Sequence, residues 1–265
     1  MSILDEIIKH KTKAVENNRQ LKPTKLLEQS IYFETPVISL SQYLKREDKL
    51  GVIAEIKRAS PSEGIINEYI DVEQLSIGYM QAGASALSVL SDTQFFKGSN
   101  NDVKTARQFN YCPILRKDFI VDEYQVIEAK SIGADCILLI AAALPVEQCE
   151  ALAKLAKKLG LEVLLEVHNA EEIETHVNEF VDIVGVNNRN LHDFTTSIET
   201  SLALEESIPK EFVRISESGI STPGSIVILK QNGFDGFLIG GYFMKHAQPE
   251  DACAKLIKDV QTLLS

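Results

Sequence analysis

Glu55 and Lys57 stand at the end of an apolar run that resembles a β-strand, within residues 51–64. Alternate side chains of an extended strand share one face, so Ile53, Glu55 and Lys57 are expected to point the same way. A solvated strand face explains two such charges equally well when this strand is considered alone. Whether Glu55 and Lys57 lie on the surface or in a functional site therefore depends on the pattern in the other strand-like segments.

Similar apolar runs recur along the chain, and several end in residues suited to acid–base chemistry. Lys117, Glu166 and Glu217 each follow such a run. An ammonium group beside carboxylates shifts the pKa of all of them, as acid–base catalysis near neutral pH requires. Together with Lys57, these residues supply two ammonium groups and two carboxylates. Their charges nearly balance, which lowers the cost of burying them together. A purely structural ring of ion pairs is the alternative interpretation.

The composition limits the classes of protein and partner. A chain of 265 residues suits one eight-stranded α/β barrel or two ordinary domains. With 45% apolar and 25% charged residues, it is expected to be a soluble globular protein with a large core. A net charge of −11 disfavours nucleic acids and anionic membranes as partners. A small anion bound in a local basic pocket remains compatible with this charge.

Several features favour a cytoplasmic location. The first residues are acidic where a secretory signal peptide would be basic, so no secretory leader is expected. The longest apolar run, residues 136–146, is too short to span a bilayer. The four cysteines are widely separated and form no CxxC pair, which predicts reduced and mostly buried thiols.

The first 48 residues are predicted to form a helical extension packed on the main domain. Apolar residues follow a helical spacing over residues 3–18, and weaker helical patterns cover residues 23–28 and 41–47. Ser41 is the expected N-cap of the third helix. The second domain is predicted to span residues 49–265.

From residue 51 onward, strand-like runs alternate with amphipathic segments. The predicted strands cover residues 52–56, 86–90, 114–116, 136–140, 163–165, 183–186, 213–215 and 236–239. The predicted helices cover residues 72–82, 102–110, 122–132, 145–159, 170–180, 197–206, 222–231 and 249–264. Such alternation indicates parallel βαβ units, whose right-handed crossovers can close a single (β/α)8 TIM barrel. An open doubly wound sheet is the alternative, although the first βα turn lacks a GxGxxG fingerprint.

A barrel would bring the charged residues together at one end. Both faces of its strands are covered, so Glu55 and Lys57 should point inward. Alternate strands contribute side chains to one interior layer, which would group Lys57 with Lys117, Glu166 and Glu217 at the C-terminal mouth. The barrel therefore predicts a charged, buried active site.

Two further clusters suggest a phosphate site and an aromatic site. Residues 216–221 and 238–242 follow the last two strands, where barrels often bind phosphate through backbone N–H groups. Ser60 and Ser62 are additional candidate donors. Phe96, Phe119 and Leu191 follow other strands and could hold an aromatic ring, with packing beneath loops as the alternative.

The histidines show no spacing typical of metal ligands. They are His10, His168, His176, His192 and His246. His168 shares a strand face with Glu166, and we expect it to support the site rather than react. No metal is predicted.

Seven motifs, in order, match one enzyme family. They occupy residues 55–64, 96–99, 114–120, 165–167, 185–191, 216–220 and 238–241. Together with the N-terminal helix, they make essentially the whole chain similar to the indole-3-glycerol-phosphate synthase family. This resemblance implies a carboxy-lyase of tryptophan biosynthesis that closes a ring, releases carbon dioxide and removes water. Its implied substrate is 1-(2-carboxyphenylamino)-1-deoxyribulose 5-phosphate, with no cofactor, and a monomer is expected.

The resemblance also implies roles for individual residues. Lys117 is expected to be the general acid in ring closure, with its pKa lowered by the site. Glu166 is expected to accept a proton during dehydration, with an exchange of roles with a lysine left open. Lys57 is expected to bind the substrate carboxylate and is a second candidate acid. Glu55, Glu217 and Asn187 complete the expected catalytic set.

The remaining implied residues bind substrate. They are Arg189, Ser60, Pro61, Phe96, Phe119, Leu138, Leu191, Ser218, Gly219, Ile239, Gly240 and Gly241. Relatives often carry a side chain at the position of Gly241, which leaves its contact with phosphate open. The loop over residues 59–64 is expected to be mobile and to cover the substrate.

Two other classes of function remain open at this point. A Schiff-base aldolase could use Lys117 or Lys57 as its nucleophile. A non-catalytic phosphosugar-binding barrel would need the phosphate site but not the acid–base residues. Sugar isomerases of related pathways fit less well, because they typically carry Asp or Cys where this chain has Lys57.

Overall fold

A computed structural model describes residues 2–190 and 193–265 of the chain. The strands are β1 (Val52–Ile56), β2 (Ala59–Ser60), β3 (Gly64–Ile65), β4 (Ala86–Leu90), β5 (Ile114–Lys117), β6 (Cys136–Ile140), β7 (Glu162–Val167), β8 (Ile183–Asn187), β9 (Val213–Glu217) and β10 (Gly236–Ile239). In these residues, β1 and β4 to β10 close a parallel barrel in the order β1-β10-β9-β8-β7-β6-β5-β4. The predicted TIM barrel is confirmed. β2 and β3 form a separate antiparallel hairpin after β1, which was not predicted.

The helices follow the predicted alternation closely. They are α1 (Ile3–Leu21), α2 (Thr24–Leu27), α3 (Leu40–Leu44), α4 (Val72–Gln81), α5 (Asn100–Phe109), α6 (Glu123–Ser131), α7 (Val146–Lys158), α8 (Ala170–His176), α9 (Glu199–Leu204), α10 (Pro223–Gln231), α11 (Gly241–Met244) and α12 (Pro249–Leu264). The helix predicted over residues 170–180 is too long. It ends at His176, whose carbonyl accepts a hydrogen bond of 2.9 Å from the Asn178 side chain.

The N-cap predicted for the third helix is wrong by two residues. Ser39, not Ser41, caps α3, and its hydroxyl accepts a hydrogen bond from the Gln42 N–H at 3.1 Å. The Ser41 N–H and hydroxyl instead donate to the Glu162 carboxylate, at 2.9 and 2.6 Å. Because Glu162 begins β7, these bonds fasten α3 to the N-terminal end of the barrel.

The N-terminal extension packs at both ends of the barrel. Leu40 and Leu44 of α3 join the apolar cluster inside its floor. Toward the mouth, the Lys11 ammonium of α1 lies 2.7 Å from both Asp92, after β4, and Asp118, after β5. The division into an extension of 48 residues and a barrel domain stays a prediction.

Alternation along the strands separates the barrel interior from the layer beneath the helices. Ile53 belongs to the interior cluster, whereas Val52, Ala54 and Ile56 pack in the outer one. The interior apolar residues of the other strands include Ala86, Leu115, Cys136, Leu164, Ile183, Val213 and Ile215. Burying apolar surface contributes about 25 cal/mol per Å², so this floor stabilises the fold. The inward faces then continue upward into charged residues at the mouth.

Candidate active site

A cavity of about 450 Å³ opens at the C-terminal mouth of the barrel. It is lined by residues from β-strand ends, the loops that follow them and α1. The residues named from the sequence that line it are Glu55, Lys57, Ser60, Pro61, Phe96, Lys117, Phe119, Leu138, Glu166, Asn187, Arg189, Glu217, Ser218, Gly219, Ile239, Gly240 and Gly241. Leu191 lies outside the described residues. The barrel therefore brings together residues up to 186 positions apart in the chain, from Glu55 to Gly241.

Lys117 is the centre of a charged group at the base of this cavity. Its ammonium donates hydrogen bonds to Glu166 at 2.8 Å and to Glu217 at 2.9 Å. The three residues come from β5, β7 and β9, which alternate around the barrel. The predicted grouping of side chains from alternate strands is therefore observed for these three residues.

The site raises the pKa of Lys117, contrary to expectation. Burial alone would lower that pKa, but the carboxylates of Glu166, Glu217 and Glu55 outweigh it. The predicted lowering of this pKa is wrong because two carboxylates accept hydrogen bonds from the same ammonium group.

The two carboxylates that share Lys117 differ in acidity. Burial raises the pKa of Glu217 to about 7, in spite of Lys117. Burial also acts to raise the pKa of Glu166, but Lys117 and His168 lower it to about 2. Asn187 donates a hydrogen bond of 2.9 Å to Glu166, whereas Glu217 Oε1 has no hydrogen-bond partner among the described residues. One carboxylate is thus held ionised while the other titrates near neutral pH.

We expect Glu217 to make the stability of the protein depend on pH. Its pKa in the folded state, about 7, exceeds the ordinary value of 4.5. The stabilisation is therefore complete below the unfolded pKa and is lost as pH rises through the folded one. Between about pH 5 and about pH 8, this carboxyl should lower the free energy of unfolding by on the order of 3 kcal/mol.

Urea unfolding at a series of pH values measures this effect. Glu217→Gln is the matched variant, since it keeps the shape of the side chain and cannot titrate. It should remove most of the decrease seen in the unmodified protein over the same interval. Equal pH dependence in the two proteins would contradict the assigned titration of Glu217.

Glu55 and Lys57 form a second ion pair beside the first group, with 2.9 Å between Lys57 Nζ and Glu55 Oε1. Because Gly240 has no side chain, Glu55 can occupy the space beside it. A Cβ atom added at Gly240 would lie 2.2 Å from Glu55 Oε1 and 2.9 Å from its Cβ. At Gly241 the nearest atom to an added Cβ is Glu63 Oε2, at 3.5 Å. Position 241 thus has room for a side chain.

These distances predict opposite outcomes for two neighbouring substitutions. Gly240→Ala should lower the free energy of unfolding by about 1–3 kcal/mol, because Glu55 must leave its position. Gly241→Ala should change it by less than about 0.5 kcal/mol, since the methyl group meets only an ordinary contact. Thermal and urea unfolding of both variants provide the measurement. A similar loss of stability in both variants would show that the position of Glu55 does not depend on the absence of a side chain at Gly240.

The turn after β9 has an unusual backbone. Ser218 and Gly219 follow one another in the left-handed region, with φ of 71° and 74°. Asn188 holds this turn by donating to the Ser218 carbonyl at 3.0 Å and to the Ser216 hydroxyl at 2.9 Å. A non-glycine residue at positive φ is strained, and such strain is concentrated at functional sites. The turn forms the cavity wall next to Gly240.

An apolar wall faces this turn across the cavity. The rings of Phe96 and Phe119 lie 5.9 Å apart, and both line the cavity. Ile3, Leu4 and Ile7 of α1 also line it. Sequence reasoning missed these three, because an apolar helical stripe indicates packing and does not indicate what the helix packs against.

The polar contacts of two further residues complete the described site. Arg189 donates to the Ser62 hydroxyl at 3.2 Å and thereby connects the loops after β8 and β1. His168 lies with Nε2 3.5 Å from Glu166 Oε1 and Nδ1 3.3 Å from Glu172 Oε2. Burial acts to lower the pKa of His168, but Glu172 and Glu166 raise it. Its supporting role remains a prediction.

Comparison with known proteins identifies the family. The family model of indole-3-glycerol phosphate synthase matches residues 4–256. The chain belongs to this family. An indole-3-glycerol phosphate synthase of Bacteroides thetaiotaomicron is 46% identical over 259 residues, covering 98% of this chain and 99% of its own. One from Bordetella pertussis is 39% identical over 258 residues, covering 96% and 98%.

Membership of the indole-3-glycerol phosphate synthase family confirms the resemblance read from the seven motifs. It also confirms the prediction of an enzyme of tryptophan biosynthesis.

Solved structures with low sequence identity share the fold. A 3-hexulose-6-phosphate synthase from Salmonella typhimurium has a TM-score of 0.63 at 12% identity, covering 80% of this chain and 99% of its own. A mutant tryptophan synthase α-subunit from Pyrococcus furiosus has a TM-score of 0.60 at 15% identity, with coverages of 81% and 99%. These similarities establish the barrel and nothing further.

No three His, Cys, Asp or Glu side chains in residues 2–190 and 193–265 are grouped so that they could hold a metal ion. None of the helices in the described part of the chain combines the length and apolar character needed to cross a membrane.

Proposed function

We propose that this chain converts 1-(2-carboxyphenylamino)-1-deoxyribulose 5-phosphate into indole-3-glycerol phosphate as a carboxy-lyase. The observation that carries the proposal is the Lys117 ammonium, which Glu166 and Glu217 share at the base of a cavity. That cavity has an apolar aromatic wall on one side and a glycine-containing turn on the other. The substrate likewise joins an aromatic ring to a phosphorylated sugar.

In ring closure, Lys117 acts as the general acid. The aromatic ring carbon attacks the sugar carbonyl, and the carbonyl oxygen takes a proton from the ammonium group. The raised pKa of Lys117 ensures that the group is protonated when the substrate arrives. An alkoxide is a much stronger base than an amine, so the developing alkoxide can still take this proton.

Ring closure leaves a cationic nitrogen and a carboxylate on the same ring. Lys57 holds that carboxylate until it leaves as carbon dioxide, and the electron pair of the broken bond neutralises the nitrogen. Glu55 keeps Lys57 in position through their ion pair of 2.9 Å. Glu55 and Glu217 offset the positive charge on nitrogen through space.

Dehydration needs a second acid and a base. Glu166 accepts the proton from carbon, and a lysine protonates the departing hydroxyl group. Lys57 is the acid in this step, with Lys117 as the alternative. Glu166 is a weak base while Lys117 is an ammonium ion, since Lys117 helps to lower its pKa to about 2. Once Lys117 has given up its proton, Glu166 becomes more basic, which couples ring closure to dehydration.

The substrate is oriented by its two ends. The phosphate binds at the turn of Ser218 and Gly219 and at Gly240 and Gly241, with Ser60 at the edge of the loop after β1. The anthranilate ring packs against a separate apolar set. That set comprises Phe96, Phe119, Leu138, Ile239 and Pro61. Asn187 and Arg189 position the polar groups between the two ends.

We also propose a cytoplasmic monomer without a cofactor, a metal or a nucleic-acid partner. Each residue with a proposed role comes from one chain, so the site does not require a second copy. The four cysteines are free and buried, which suits a reducing compartment.

A spectroscopic assay for indole formation from the carboxyphenylamino substrate tests the function directly. Purified protein should produce indole-3-glycerol phosphate, and the dephosphorylated substrate should be turned over poorly. Borohydride treatment during turnover should trap no substrate–lysine adduct. Folded protein without turnover would overturn the proposal, and a trapped adduct would instead support the aldolase alternative.

A further inference from the structure

Glu63 and Lys245 form an ion pair across the cavity mouth. Lys245 Nζ lies 2.7 Å from Glu63 Oε1. Glu63 lies in the turn between β2 and β3, and Lys245 directly follows α11. The pair therefore connects the loop after the first barrel strand with the segment after the last. Both residues line the cavity, and neither was identified from the sequence.

The second oxygen of the same carboxylate faces Gly241. A Cβ atom added at Gly241 would lie 3.5 Å from Glu63 Oε2. The Glu63 carboxylate therefore lies beside a residue to which phosphate binding has been assigned. The Ser60 hydroxyl accepts a hydrogen bond of 3.2 Å from the Glu63 N–H and so helps to fix the turn.

The charges around Glu63 favour an anion at this point. The hydrogen bond from Lys245 lowers the pKa of Glu63, although partial burial acts to raise it. Lys57 and Arg189 lower it further through space. Three cations thus stabilise one carboxylate of this chain, and the same three would attract a phosphate group more strongly because it carries more charge.

We propose that the Glu63 carboxylate occupies the binding place of the substrate phosphate in the free protein. When the substrate binds, its phosphate displaces Glu63 from Lys245 and is itself bound by Lys245. This inference rests on the proposed function and adds two residues to it. Lys245 becomes a phosphate-binding residue, and Glu63 becomes a determinant of specificity. A sugar without a phosphate has no anion with which to displace the carboxylate, so Glu63 disfavours unphosphorylated substrates.

The proposal predicts opposite effects for the two partners of one ion pair. Glu63→Gln removes the competing charge and frees Lys245, so inorganic phosphate should bind about threefold more tightly. Lys245→Gln removes a charged donor, so phosphate should bind about tenfold more weakly. Titration calorimetry with inorganic phosphate measures both, and KM for the phosphorylated substrate should change in the same directions.

An exposed ion pair on α12 supplies the control. Lys255 Nζ lies 2.6 Å from Asp259 Oδ2, and neither residue lines the cavity. Lys255→Gln and Asp259→Asn each change the net charge by one unit away from the cavity and should leave phosphate binding unchanged. A shift in these variants would reveal a general effect of net charge. Circular dichroism of each variant checks that it is folded.

The outcomes distinguish displacement of Glu63 by phosphate from a purely structural role of the Glu63–Lys245 ion pair. Weaker phosphate binding in Glu63→Gln would overturn the proposal, because it would mean that the intact pair builds the site. Unchanged binding in either cavity variant would overturn it as well. Calorimetry does not depend on turnover, so opposite shifts in a protein without synthase activity would refute the proposed reaction and leave the competition intact.

Discussion

Lys117→Ala is expected to lower kcat by about 10³-fold, within the range that general acid catalysis contributes. The developing alkoxide in ring closure would lose the ammonium group that donates to it. Binding should persist, because the phosphate and the aromatic ring contact other parts of the cavity. Steady-state kinetics would give kcat, and calorimetry would give the affinity of the variant for the substrate.

Lys57→Ala is the matched control for this prediction, because it removes an ammonium group from the same cavity. It should raise KM, since Lys57 holds the substrate carboxylate, and slow dehydration, since Lys57 is the acid of that step. In a single turnover, Lys57→Ala should still close the ring whereas Lys117→Ala should not, so the contrast separates loss of the ring-closure acid from loss of positive charge. Substantial turnover by Lys117→Ala would remove Lys117 from its proposed role.

The variant without Lys117 must also be checked for folding. Glu166 and Glu217 are both buried and would lose the cation that they share. Breaking a buried ion pair by removing one partner costs about 3–5 kcal/mol. Lys117→Met, which keeps more of the buried volume, should show the same kinetic loss. A melting curve for each variant identifies any loss due to unfolding.

Glu166→Gln is expected to lower the rate of indole formation by about 10²-fold to 10³-fold with little change in KM. The amide keeps the size of the side chain but cannot accept the proton released in dehydration. Carbon dioxide is lost before water in the proposed sequence. In a single turnover, carbon dioxide release should therefore precede indole formation clearly in this variant.

Glu172→Gln provides the control for Glu166→Gln. Glu172 contacts His168 rather than Lys117, so its loss should affect indole formation much less. If carbon dioxide release and indole formation slow together in Glu166→Gln, the residue acts before decarboxylation. That result would contradict the assignment of Glu166 to dehydration.

Much of the fold was predictable because strand and helix periods are local properties of the chain. Four of the barrel strands begin and end at the predicted residues, and the other four are longer by one to three residues. Glu55 could be assigned to the interior because Ile53, two positions earlier, continues the same face. Lys117 and Glu166 could be grouped because alternate strands of a barrel share a layer.

The features that sequence reasoning missed depend on contacts between distant residues. Glu63 and Lys245 are 182 positions apart, and nothing in either local pattern indicates the other. The apolar stripe of α1 predicts a buried face, but not that Ile3 would line the cavity. Likewise, the direction of the pKa shift of Lys117 depends on how many carboxylates reach it, which is known only once the barrel is closed.

The two levels of the barrel interior make the protein a favourable starting point for engineering. Val213 belongs to the apolar floor and Glu217 to the mouth of the same strand. Four residues of a parallel strand span roughly 13 Å, and the effects of substitutions more than about 7–10 Å apart usually add. Libraries that improve packing in the floor can thus be combined with libraries that alter substrate choice at the mouth. Each can be selected separately and the results then joined in one chain.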